Sequence, residues 1–115
     1  MLQLKHKKLK VYEKSVKLVS DIYLRTKKFP NLEKFGLVSQ MRRSSISVPS
    51  NIAEGASRRS SKERSRFYEI ARSSLVELDT QVELSIELGF LNESEIEIIE
   101  ELANEIFAML SKMIK

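Results

Sequence analysis

The chain has no cysteine, one histidine, two prolines and three glycines in 115 residues. Without cysteine, disulfides and thiolate metal sites are excluded, and a reducing cytoplasm is the expected location. The scarcity of glycine and proline argues against many-turned β folds and permits long uninterrupted elements. No apolar run approaches the roughly 20 residues of a membrane span. Residues 1–8 read as a frayed basic N-terminus, and no apolar signal core follows them. His6 falls in that segment and is expected to be solvated. Ser-His and Cys-His triads therefore lack a base. There is no Glu-x-x-His pair of the di-iron bundle type and no Gly-rich phosphate loop. The expectation is a protein that is not an enzyme and holds no cofactor and no metal.

Hydrophobic residues make up 42% of the chain, enough for one packed domain spanning residues 1–115. The net charge of +4 conceals a strong asymmetry. Residues 1–34 carry 10 basic and 3 acidic side chains, a net +7. Residues 35–72 carry 8 and 3, a net +5, and residues 73–115 carry 2 and 10, a net −8. The first two-thirds would attract polyanions and the last third would repel them. Pairing of oppositely charged helices, within the fold or between subunits, is the alternative use of the same pattern.

Four helices are legible. Tyr12, Val16, Val19 and Tyr23 recur at helical spacing between Leu9 and Lys27, with Val11, Leu18 and Ile22 widening the stripe. Phe29-Pro30-Asn31 ends that helix. A second runs from between Leu32 and Leu37 to about Ala56, with Leu37, Met41, Val48 and Ile52 on one face. Pro49 lies inside it and predicts a kink in an otherwise continuous helix. Its neighbours are small: Ser44, Ser45, Ser47, Ser50, Ala53, Gly55 and Ala56 suit close approach of another helix. Ser60 and Glu63 form a capping-box pattern that opens a third helix, with a seam of Phe67, Ala71, Ser74, Leu78, Val82 and Ser85, closed by Gly89. Asn92 and Glu95 repeat the pattern before the fourth helix. There Ile96, Ile99, Ala103, Ile106, Leu110 and Met113 form the cleanest periodicity. Ile98, Leu102, Phe107 and Met109 are apolar too, so this stripe is wider than one seam needs and suggests burial by a second subunit. Four helices joined by short turns predict an all-α, antiparallel up-and-down four-helix bundle.

Two groups of residues stand out. Arg58, Arg59, Lys62, Arg64 and Arg66 crowd the entry to the third helix, where the helix dipole favours acids rather than cations. Glu93, Glu95, Glu97 and Glu100 obey that rule at the fourth helix and read, with Glu101 and Glu105, as a solvated polar face rather than a metal cluster. The five cations are candidates for an anion site that holds phosphate. Pairing with the acidic third and fourth helices is the structural alternative. Arg42, Arg43, Asn51 and Glu54 beside Pro49, with Glu77 on the third helix, read as a structural polar network, direct ligand contact being the other option.

These segments also carry a resemblance. Leu9-x-Val11-Tyr12, Phe29-Pro30, Phe35-Gly36-Leu37, Gln40-x-Arg42-Arg43 and Val48-Pro49-Ser50-Asn51-Ile52-Ala53-Glu54-Gly55 resemble the four helix bundle proteins encoded in large-subunit (23S) rRNA intervening sequences. Arg58, Phe67, Ala71, Ser74, Glu77 and Leu78 continue it, and Ser73 stands where the pattern commonly has Gly. The resemblance covers nearly the whole chain. It implies a four-helix protomer assembled into a ring, with a pentamer favoured, and no catalytic activity. The family is similar in turn to the accessory variability determinant of diversity-generating retroelements, a basic pentamer implicated in binding nucleic acid and a reverse transcriptase. That implies RNA or DNA, and a reverse transcriptase, as partners. A protein-interaction scaffold without a nucleic-acid role is the competing expectation.

Overall fold

The computed structural model describes residues 1–115. Four helices run α1 Lys10–Thr26, α2 Leu37–Ala56, α3 Ser61–Glu87 and α4 Glu97–Met113, in the order and number the periodicity predicts. Consecutive helices pack against each other, and α4 returns to pack on α1, closing an antiparallel four-helix bundle. Eighteen buried apolar residues form one core, centred on Leu18, Ile22, Met41, Val48, Ile52, Leu78, Ile106 and Leu110.

The helix ends follow from local chemistry. Ser60 Oγ accepts the Glu63 backbone N–H at 3.1 Å and caps α3. The return arm of a capping box is replaced by the Ser60 hydroxyl, which donates to Glu63 Oε1 at 3.3 Å. Asn92 and Glu95 make the complete box, at 3.0 Å in both directions. It opens a 3-10 turn, Glu93–Ile96, ahead of α4. Gly89, at φ 81°, ends α3 in the left-handed conformation. The Phe90 N–H reaches back to Ser85 O at 2.8 Å and the Gly89 N–H to Ile86 O at 3.0 Å, which satisfies the last carbonyls. Phe90 then meets Phe29 from the α1–α2 turn, with ring centroids 5.4 Å apart.

The basic N-terminus departs from expectation. Lys5–Lys8 form a 3-10 turn packed on α1 and α2. His6 is buried there, edge-on to Tyr12 with centroids 4.8 Å apart. An imidazole beside an aromatic ring has an apolar surface to cover, and a short basic run can fold back to cover it.

The α1 stripe is also rotated from the predicted one. Val11, Ser15, Leu18, Ile22 and Thr26 face the core. Ser15 and Thr26 can be buried because their hydroxyls donate to Tyr12 O and Ile22 O, both at 2.7 Å. Tyr12, Val16, Val19 and Tyr23 instead flank a surface groove shared with α2.

α2 stays continuous through Pro49. Beside the proline, Asn51 Nδ2 donates to Ser47 O at 2.8 Å and to Ser47 Oγ at 3.0 Å, and Ser47 Oγ lies 2.8 Å from Ser74 Oγ on α3. Ser44 Oγ donates to buried Gln81 Oε1 at 2.5 Å, so small hydroxyl residues join α2 to α3 along their length. Ser73, by contrast, faces solvent. Ser47→Leu is therefore expected to overpack the α2–α3 interface by about 1–3 kcal/mol. Ala53→Leu, which would enter the open α1–α2 groove, should change the chemical-denaturation midpoint little. Equal midpoints for both variants would contradict this assignment of faces.

Candidate nucleic-acid interface

The up-and-down topology gathers the start of α1, the end of α2, the start of α3 and the end of α4 at one pole of the bundle. The backbone N–H of Lys115 donates to Ser65 Oγ at 2.9 Å, which fixes the C-terminus beside the first turns of α3. The Lys5–Lys8 turn packs on the same end of α1. Arg58 and Arg59 lie in the α2–α3 turn, and Lys62, Arg64 and Arg66 in the first turns of α3.

These five predicted residues do not act alike. Arg58 Nη2 donates to Glu54 Oε2 at 3.1 Å, and its guanidinium lies over the Phe67 ring at 4.9 Å. Arg64 turns back and donates from Nη1 to the carbonyls of Arg58 at 3.1 Å and Arg59 at 2.6 Å. It closes the turn that precedes its own helix. Beneath it, burial pushes the Tyr68 hydroxyl above its usual pKa range, with the Arg64 charge pulling the other way. Arg59, Lys62 and Arg66 are exposed, and their side chains make no ion pair or hydrogen bond within the chain. Lys62 and Arg66 are one helical turn apart and share a face of α3. The acids of the first turn are limited to Glu63, which the Ser60 cap occupies. The pole therefore carries three uncompensated cations on the α2–α3 side, with Lys5, Lys7 and Lys8 from the N-terminus and Lys112 from α4 at the same end. The sequence pattern alone does not join the N-terminal and C-terminal lysines to this cluster. The signal that joins them is the bundle topology, which places both termini beside the α2–α3 turn.

The residues read as one polar network separate into four sets. Arg42 reaches α1, donating from Nε to Thr26 Oγ1 at 3.1 Å and stacking over the Tyr23 ring at 4.3 Å. Arg43 Nη2 pairs with Glu77 Oε2 at 2.6 Å on α3 and also takes Gln40 Oε1 at 3.0 Å. Asn51 serves the Ser47–Ser74 junction, and Glu54 serves Arg58. Each set ties α2 to a neighbouring element or to the turn that follows it. The Arg43–Glu77 pair is about half exposed on each side, so it steers register more than it stabilises.

The acids at the end of α3 and the start of α4 gather toward the opposite pole. Asp79, Glu83, Glu93, Glu97 and Glu100 line a groove between the end of α3 and the start of α4. Glu105 pairs with Lys14 at 2.6 Å, and Glu95 pairs with Lys28. Positive and negative charge are thus separated along the bundle axis, with few cross-neutralising pairs at the basic pole. No helix is long and apolar enough to cross a membrane.

Fold and charge together define an all-α four-helix bundle with one basic pole. Residues 7–112 match the model of the 23S rRNA-intervening sequence protein family, and the chain belongs to that family. A solved structure from Bacteroides thetaiotaomicron VPI-5482, described as a protein with unknown function from the S23 ribosomal protein family, has a TM-score of 0.82 and 25% identity. The alignment covers 91% of this chain and 98% of that one. No curated protein matches the chain.

Proposed function

We propose that the protein is a non-enzymatic, cytoplasmic homo-oligomer, with a ring of five subunits favoured, that binds the backbone of RNA or DNA through its basic pole. The observation that carries this reading is the set Arg59, Lys62 and Arg66, which lack acidic partners and share a pole with the basic N-terminal turn. Cations placed against a helix dipole and left unpaired are accounted for by an external anion. Each phosphate contact would be weak alone. Repetition around a symmetric assembly raises the effective concentration of the remaining sites and makes the sum appreciable. The single histidine supports a non-catalytic role, since it is occupied in packing on Tyr12.

Light scattering in moderate salt tests the assembly, and a concentration-independent mass near 13.3 kDa would exclude it. Anisotropy of labelled single- and double-stranded RNA and DNA at low salt tests the ligand. Binding to all of them is expected, because backbone contacts carry no sequence information.

A second reading is a protein-interaction scaffold, favoured by the open apolar groove between α1 and α2. A reverse transcriptase is the partner that the family resemblance implies. Salt-insensitive capture of a protein partner, with no nucleic-acid binding at low salt, would favour this reading over the first.

A further inference from the structure

The segment ahead of α1 is basic and apolar at once. No acid precedes Glu13, and Lys5, Lys7, Lys8 and Lys10 have no carboxylate partner. Among these lysines stand Leu2, Leu4 and Leu9, which are 68%, 45% and 37% exposed. The segment is folded rather than trailing. Lys7 Nζ donates to Leu2 O, and the Lys7 backbone N–H donates to Leu4 O at 3.3 Å. His6 anchors the turn by packing on Tyr12, and the turn rests on α1 and α2. Leu2 and Leu4 are thus held on the outside of the bundle, beside unpaired lysines.

A phosphate backbone accounts for the lysines but leaves the leucines in water. The surface of an anionic bilayer accounts for both. Lysines meet lipid phosphates there, and apolar side chains bury at the boundary between headgroups and acyl chains. The charge layout of the bundle suits end-on docking. Arg59, Lys62, Arg66 and Lys112 stand at the same pole and add to the attraction. The acids gather toward the other end of a molecule 44 Å long. With a Debye length of about 8 Å at physiological ionic strength, their repulsion of a surface touching the basic pole is screened. The separation of charge along the axis turns the basic pole toward that surface. No helix is long and apolar enough to span, so the contact is interfacial.

We infer that the N-terminal turn and the basic pole dock on an anionic lipid bilayer, with Leu2 and Leu4 entering the headgroup region. This goes beyond the nucleic-acid reading and does not depend on it. The cations serve either polyanion, whereas the leucines serve only the bilayer. Charge alone would give adsorption that salt reverses. Burial of the leucines adds a part that salt does not screen.

The test is sedimentation of the full chain with vesicles of equal parts phosphatidylcholine and phosphatidylglycerol, and with vesicles of phosphatidylcholine alone. The wild type is expected to pellet with the mixed vesicles and to stay in solution with the neutral ones. The double variant Leu2→Ser, Leu4→Ser should bind the mixed vesicles about 10-fold more weakly, because it keeps the charge and loses the insertion. Its circular dichroism melt and its RNA affinity should match the wild type, since both leucines lie outside the core. Equal vesicle binding by variant and wild type would reduce the contact to charge and overturn the inference. A wild type that binds RNA but not the mixed vesicles would overturn it and leave the nucleic-acid reading standing, whereas vesicle binding without RNA binding would do the reverse. Because the chain has no tryptophan, Leu4→Trp supplies the one indole as a second readout. Its emission should shift to the blue with mixed vesicles and not with RNA. An unshifted emission from vesicle-bound protein would place Leu4 in water and contradict the insertion.

Discussion

Gly55→Val is expected to destabilise the bundle by about 3 kcal/mol, the upper end of the overpacking range. A Cβ at Gly55 would stand 2.7 Å from Tyr68 Cε1 and 3.0 Å from both Tyr68 Cδ1 and Phe67 Cβ. The obstacles are a buried ring and the root of a side chain, neither of which can swing aside. α2 and α3 would have to separate at this point and loosen the Ser47–Ser74 contact two turns away. Even Gly55→Ala should lower the denaturation midpoint, although alanine favours a helix over glycine by about 1 kcal/mol. The other glycines supply controls. At Gly36 the nearest atom to an added Cβ is Glu33 Oε1 at 3.4 Å, an ordinary contact. At Gly89 nothing lies within 4 Å, so the cost there is the positive φ alone. A Gly55→Ala variant as stable as wild type would mean that the two helices are not held this closely.

Reversing the charge of the basic pole is expected to abolish polyanion binding. In the triple variant Arg59→Glu, Lys62→Glu, Arg66→Glu, affinity for a short RNA at low salt should fall by at least about 100-fold, since three attractive contacts become repulsive in every subunit. Fold and oligomer size should be unchanged. These side chains are exposed and make no bond within the chain, and acids in the first turn of α3 suit its dipole. The melting temperature should therefore hold or rise slightly. Reversing Arg58 or Arg64 would be a poorer test. Arg58 is already engaged by Glu54 and Phe67, and Arg64 closes its own turn through two carbonyls, so their loss would mix structural damage with lost binding. Undiminished RNA binding by the Arg59/Lys62/Arg66 variant would move the site to the Lys5–Lys17 segment.

The parts of the fold that a linear reading recovers are those where apolar periodicity and burial coincide. α4 and the turn ahead of it are the clearest case: Ile96, Ile99, Ile106 and Leu110 are buried, with Ala103 and Met113 packed against them. α1 misleads because polarity and burial part company there. Ser15 and Thr26 look like surface residues, yet each satisfies its hydroxyl on its own helix and so can face the core. Four apolar residues on the adjacent face look like core and line an open groove instead. α3 shows the same effect at Gln81, whose burial depends on a partner hydroxyl, Ser44, 37 positions away. The five candidate cations were legible as a cluster because they violate a local helix rule. Which of them are free was not, since the partners of Arg64 are backbone carbonyls that no composition reveals. The division of the polar network into four sets likewise depends on which helix each face of α2 meets.

Binding of phosphate backbones by the basic pole through Arg59, Lys62 and Arg66 is tested most directly by the salt dependence of RNA affinity for the wild type and for the triple variant Arg59→Ala, Lys62→Ala, Arg66→Ala. Anisotropy titrations between about 50 and 200 mM salt cover the range in which backbone binding weakens by orders of magnitude. The wild type should show a linear fall of log affinity with log salt. The variant should bind more weakly at low salt, with a slope shallower by about 2–3, close to one unit for each phosphate contact removed. Equal slopes for the two proteins, or no wild-type binding at the lowest salt, would contradict binding through these three residues.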